Sequence, residues 1–77
     1  MRHKEKRSDL RRLGGNILGQ LGRLDMSQKA LAAKLGLHKN TIYEYTSGRV
    51  EMGATTLKRI ALALGCSCDE LLEGVGE

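Results

Sequence analysis

Lys39, Asn40, Thr41, Tyr43 and Glu44 fall within six consecutive residues, KNTIYE, where Ile42 is the one aliphatic interruption. On a helix advancing about 100° per residue, Ile42 and Tyr45 define an inward side and Asn40, Tyr43, Glu44 and Ser47 an outward one, with Lys39 and Thr41 at the edges. An outward face this dense in donors and acceptors suits the base edges of double-stranded DNA in the major groove, which is wide enough to admit a helix. Asn40 matches adenine, its amide donating to N7 and accepting from N6. Lys39 can donate to guanine O6 and N7 or reach a phosphate. Glu44 can accept from cytosine N4 and repels phosphates where no such bond forms; it then acts by exclusion. Thr41 suits a thymine methyl, and Tyr43 offers ring contact or a hydroxyl to phosphate. Taken alone, the same face also reads as a solvated helix surface.

A second group suits the DNA backbone. Gln28 stands at the first turn of a preceding helix, where unsatisfied backbone N–H groups favour an anion. Lys29 and Arg49 add positive charge, and Ser47 with the backbone N–H of Gly48 or Arg49 forms a candidate clamp for a second phosphate. Catalysis has no comparable signature. His3 and His38 are isolated, and there is no carboxylate pair, nucleophile with a base, metal cluster or phosphate loop. Cys66 and Cys68 lie in an apolar stretch and read as core thiols, with a redox or metal role as the alternative. No enzymatic activity, cofactor or metal is expected.

These side chains need a framework, and residues 28–47 supply one. Leu31, Ala32 and Leu35 recur at helical spacing, Gly36 supplies a positive φ, and Leu37, Ile42 and Tyr45 resume the pattern after the break. Two short helices joined by so brief a turn approach closely, which accounts for the small Ala32. Ser27 caps the first of them, residues 28–35, and Ser47-Gly48 stops the second, residues 39–46. Upstream, Ser8 or Asp9 can cap a helix whose stripe is Leu10, Leu13, Ile17, Leu21 and Leu24. Gly14, Gly15, Gly19 and Gly22 weaken this helix, with a kink expected near Gly14 and Gly15. Gly15, Gly19 and Gly22 share one side, either idle or a smooth patch for another backbone. Downstream, residues 49–54 form a loop and residues 55–64 a helix burying Leu57, Ile60, Ala61 and Leu64. Gly65 ends that helix, and Ser67 with Glu70 forms a capping box for a short fifth helix carrying Leu71 and Leu72.

The fold class is therefore all-α, a five-helix bundle with a helix-turn-helix at its second and third helices. Residues 1–8 are expected to form a basic, loosely ordered arm, either a solubilising tail or a strap along the DNA backbone. Residues 9–74 form a single domain, and residues 75–77 a frayed tail. With no Phe or Trp and two Tyr in 77 residues, the core must be aliphatic, which favours packed helices over a sheet. No apolar run approaches the length of about 18 residues that spans a bilayer, and the charged amino terminus lacks the apolar segment of a signal peptide. A cytoplasmic location with no membrane partner is expected. Residues 1–12 and 13–49 carry local balances of +4 and +3, and residues 50–77 carry −3. That gradient turns the basic half toward phosphates and the acidic end away.

The Ser27-Gln28 start, Leu31-Ala32, Leu35-Gly36-Leu37, Thr41-Ile42, Ser47-Gly48, Leu64-Gly65 and Asp69-Glu70-Leu71-Leu72 resemble, in order, the Cro and cI repressor-like helix-turn-helix family, also called XRE. The likeness runs over residues 13–74. It implies a five-helix lambda-repressor-like domain that binds operator DNA as a homodimer, with Gln28 as the phosphate-contacting glutamine and Lys39, Asn40, Thr41, Tyr43 and Glu44 facing the groove. Many members pair an Arg in the first helix with a Glu ending the recognition helix. Leu21 and Thr46 stand there instead, and apolar packing is expected to replace the ion pair. His38 replaces the usual Ser or Thr cap, which weakens that helix start. The loop lacks the usual Pro, which frees residues 49–54 to move.

The expected function is a sequence-specific DNA-binding transcriptional regulator, specifically a repressor. The alternative is an antitoxin or adaptor that chiefly binds a partner protein and autoregulates its own promoter. Candidate dimer surfaces are Leu71, Leu72 and Val75, or the glycine patch of the first helix.

Overall fold

A computed structural model describes the backbone of residues 3–77 and the side chains of residues 7–77. The chain forms α1 (His3–Leu24), α2 (Gln28–Leu35), α3 (Lys39–Ser47), α4 (Ala54–Leu64) and α5 (Cys68–Leu71), with no strand among the described residues. The expected all-α, five-helix arrangement is what the chain adopts.

One apolar cluster holds the helices together. Leu13, Ile17 and Leu21 of α1, Leu31, Ala32 and Leu35 of α2, Ile42 of α3, Ile60, Ala61 and Leu64 of α4 and Leu71 of α5 are all buried. Every helix contributes: α2 to α5 are too short to be stable alone, and α1, though 22 residues long, carries four glycines. The ends of the expected α1 stripe do not share this burial: Leu10 is half-buried and Leu24 is exposed. Leu57 likewise only flanks the core.

Local chemistry sets most of the boundaries. Ser27 accepts from the Ala30 N–H at 3.0 Å, and Ser67 and Glu70 complete the reciprocal capping box. Gly36, Gly48 and Gly65 close α2, α3 and α4 in the left-handed conformation. His38, expected to weaken the start of α3, does cap it: its Nδ1 accepts from the Asn40 N–H at 3.1 Å, so the ring nitrogen does the work of a hydroxyl. Arg59 on α4 donates to the Leu35 carbonyl at 2.7 Å, satisfying an orphan at the end of α2 and tying the two helices together.

Both chain ends depart from expectation. Met1 and Arg2 of the expected loose arm lie outside the described residues, but α1 begins at His3, so Ser8 and Asp9 sit inside the helix and cap nothing. Asp9 instead accepts from the Gly76 N–H at 2.8 Å. Asn16 donates to the carbonyls of Leu71 and Glu73 at 2.8 and 2.9 Å, and Arg12 Nε donates to Glu73 at 3.2 Å. Val75 packs on the core. The expected frayed tail is thus held along α1 as far as Gly76. Leu71 is fully buried, which removes it from the expected dimer surface and leaves Leu72 as the exposed member.

The α1 glycines divide unexpectedly. Gly15, Gly19 and Gly22 face open space, whereas Gly14 is buried against the backbone of Thr46. A Cβ at Gly14 would lie 2.6 Å from the Thr46 carbonyl carbon and 2.9 Å from its Cα, and closer still to the carbonyl oxygen. This glycine lets α1 lie directly against the end of α3. The loop after α3 is also anchored, because Met52 is buried in the core.

Candidate nucleic-acid interface

α3 stands at the surface with one side in the core. Ile42 and Thr46, one turn apart, are buried and Tyr45 flanks them, while Lys39, Asn40, Tyr43, Glu44 and Ser47 are exposed and Thr41 is half-buried. The inward side is thus turned by about 50°, half a residue step, from the direction that Ile42 and Tyr45 alone suggest. The side-chain amide of Asn40 is free, because the His38 cap engages only its backbone N–H. Asn40 therefore keeps both donor and acceptor for an external partner.

Thr46 carries a contact that sequence reasoning missed. Its hydroxyl donates to Oε1 of Gln28 at 2.8 Å, joining the end of α3 to the start of α2. Apolar packing was expected to replace the family's ion pair, and Leu21 is indeed buried; Thr46, however, provides a hydrogen bond. That bond orients the Gln28 amide. With Oε1 occupied, Nε2 is what Gln28 has left to offer, and phosphate oxygens accept only from donors. Residue type alone carries no signal for this; a short polar residue one turn after a core Ile was the available hint.

The backbone clamp expected after α3 is not available. The Gly48 N–H donates to the Tyr45 carbonyl at 3.2 Å and the Arg49 N–H to the Glu44 carbonyl at 3.0 Å. Ser47 also donates its hydroxyl to Glu44, at 3.2 Å. All three groups serve the helix end, so positive charge near it must come from side chains.

Cations flank the α3 face at both ends. Lys29 of α2 and Lys39 of α3 line one shallow cleft together with His38 of the turn. Tyr43, Glu44, Ser47 and Arg49 line another at the far end of the helix. The first turns of α2, α3 and α4 contain no acidic residue, whereas α5 begins with Asp69 and Glu70. Helix starts ordinarily gain from acids. The starts of α2, α3 and α4 are thus not neutralised by an acid of their own first turn, while acidic charge collects on α5.

Cys66 and Cys68 are free thiols, half-buried against the core, and burial pushes the Cys66 pKa up with nearby Glu70 adding to the effect. Among the described residues there is no cluster of His, Cys, Asp or Glu suited to a metal, and no helix long and apolar enough to cross a membrane.

This arrangement, two short helices crossing at a tight glycine turn with a polar face on the second, defines a helix-turn-helix domain. Residues 20–71 match the helix-turn-helix family, and the chain belongs to it, in its Cro/C1-type, XRE branch. It is a DNA-binding helix-turn-helix regulator. No curated protein and no solved structure matches the chain.

Proposed function

We propose that this chain is a sequence-specific transcriptional repressor that lays α3 in the major groove of its operator. The reading rests on one observation: Asn40 and Glu44 lie opposite the buried Ile42 and Thr46, with Tyr43 and Lys39 at the sides, and all four polar side chains are exposed. Lys39 and Asn40, at the helix start, and Thr41, Tyr43 and Glu44 beyond them read base edges. Asn40 takes adenine as a bidentate pair, and Glu44 favours cytosine while rejecting positions that offer it no donor. Gln28, with its amide turned by Thr46, holds a phosphate at the start of α2. Lys29, Ser47 and Arg49 line the backbone path on either side.

Two copies acting as a homodimer place their α3 helices about 34 Å apart, one turn of B-DNA, and read a palindrome. The protein then acts in the cytoplasm, by occupying a promoter. Selection of binding sites from a random duplex library tests this. The expected result is an enriched palindrome with half-sites about 10 base pairs apart, which lowers expression of a reporter when placed in its promoter. Failure to enrich any site contradicts sequence-specific reading, and an enriched site that raises expression contradicts repression.

A further inference from the structure

Beside the end of α3 lies a cleft of about 330 Å³ lined by Arg7, Arg11, Ser47, Gly48 and Arg49. Arg7 and Arg11 stand one turn apart on α1, where like charges repel each other. Arg49 brings a third guanidinium from the loop after α3, and none of the lining residues is acidic. The nearby polar groups of α1 are committed elsewhere: Asp9 bonds to the Gly76 N–H and Arg12 to the Glu73 carbonyl. No hydrogen bond or ion pair among the described residues engages the three guanidinium groups of the cleft.

The wall between α1 and the α3 end is close-fitting. A Cβ at Gly48 would lie 2.8 Å from Cγ of Arg11 and 2.9 Å from its backbone nitrogen. Gly48 therefore both closes α3 in the left-handed conformation and lets Arg11 sit against that closure. The cleft is built by this contact and is shared by two elements. It is continuous, through Ser47 and Arg49, with the surface that carries Tyr43 and Glu44.

We infer that this cleft is a phosphate site, in which Arg7, Arg11 and Arg49 grip one backbone phosphate of the DNA flanking the stretch read by α3. The inference rests on the DNA-binding reading above and adds α1 to the interface. Guanidinium groups suit the site because their forked donors match phosphate oxygens in pairs, and because their mutual repulsion is relieved when the anion enters. The backbone N–H groups that could otherwise hold a phosphate here are spent on the α3 cap.

Salt dependence of binding to a random-sequence 30-base-pair duplex tests the cleft without requiring an operator. Each phosphate contact contributes about 0.9 to the slope of log affinity against log salt. Relative to wild type, R7Q/R11Q is expected to lower that slope by about 0.9, so that the fall in affinity between 50 and 200 mM salt shrinks by roughly 3.5-fold. R49Q, which leaves α1 intact, is expected to give the same decrease, and K58Q, on α4, no change. Circular dichroism of each variant confirms folding. An unchanged slope in R7Q/R11Q and R49Q overturns the inference while leaving the reading by α3 standing, since site selection and Asn40→Ala report on that reading independently. No binding of wild type to the duplex overturns both. Titration with inorganic pyrophosphate at constant ionic strength separates the other source: binding by wild type that is lost in R7Q/R11Q, with the DNA slope unchanged, assigns the cleft to a free phosphate ligand instead of the DNA backbone.

Discussion

Replacing Gly14 by alanine sets two opposing effects against each other at one position. Alanine is the better helix former by about 1 kcal/mol, so an unhindered site should be stabilised. At Gly14 the new methyl lies 2.6 Å from the Thr46 carbonyl carbon and 2.9 Å from its Cα. Comfortable carbon–carbon contact begins near 3.5 Å, so α1 and α3 must part by about 1 Å. The obstacle is backbone, which cannot rotate aside as a side chain would. Overpacking costs about 1–3 kcal/mol, and a rigid obstacle falls toward the upper end, so we expect a net loss of about 1–2 kcal/mol. Gly15→Ala is the control: it lies in the same helix, adjacent in sequence, with nothing within 4 Å of its added methyl. There the propensity gain stands alone, and stabilisation of about 0.5–1 kcal/mol is expected. Urea unfolding followed by circular dichroism should therefore separate the two variants by about 1.5–3 kcal/mol. The parting also displaces the end of α3, so Gly14→Ala should bind DNA less tightly even where it is fully folded. If Gly14→Ala proves as stable as Gly15→Ala, the close approach of α1 and α3 is wrong.

Three further outcomes follow from individual contacts. Thr46→Val keeps the shape but leaves Gln28 Oε1 without its donor, and should cost about 0.5–1.5 kcal/mol by denaturation while weakening binding to all DNA sequences alike. A variant that changed base preference instead would contradict the positioning role of Thr46. Glu70 is held below its ordinary pKa of 4.5, chiefly by the Ser67 backbone N–H and then by the Ser67 hydroxyl. A depressed folded pKa means its contribution is fully present above the unfolded value and is lost as pH falls through the folded one. Glu70→Gln should therefore flatten the acid side of the stability–pH curve below about pH 4.5, and an unaltered curve would remove the capping box from the account. Burial raises the Cys66 pKa, so in a Cys68→Ser background Cys66 should alkylate more slowly than free glutathione at pH 8, and faster reaction would contradict its protected setting.

Caps and periodicity were readable because their chemistry is local. Ser27 bonds within its own turn, Gly36 and Gly48 need no neighbour to favour positive φ, and Ser67 and Glu70 are three residues apart. The outward face of α3 was readable for the same reason, since one buried position and a fixed angular step place the rest. What escaped depends on distant partners. Gly14 resembles its three helical neighbours until α3 is laid beside it. Thr46 becomes a positioning residue only because Gln28, 18 residues earlier, comes within 2.8 Å. Asp9 has the composition of a helix cap, yet α1 extends past it and its carboxylate meets a backbone N–H 67 residues away. Asp25, not a glycine, ends α1 at a φ of 54°, and Met52 anchors a loop whose composition suggested freedom.

The central claim is that α3 reads bases while the start of α2 grips the backbone, and comparing Asn40→Ala with Gln28→Ala tests that division most directly. Affinities are measured by titration against the selected site and against every single-base substitution of it. Asn40→Ala is expected to erase discrimination at one position, a loss of about 1–3 kcal/mol, and to leave the others intact. Gln28→Ala is expected to weaken all of the duplexes by a common factor. Unchanged discrimination in Asn40→Ala, or a position-specific effect in Gln28→Ala, would contradict the division of labour between the two helices.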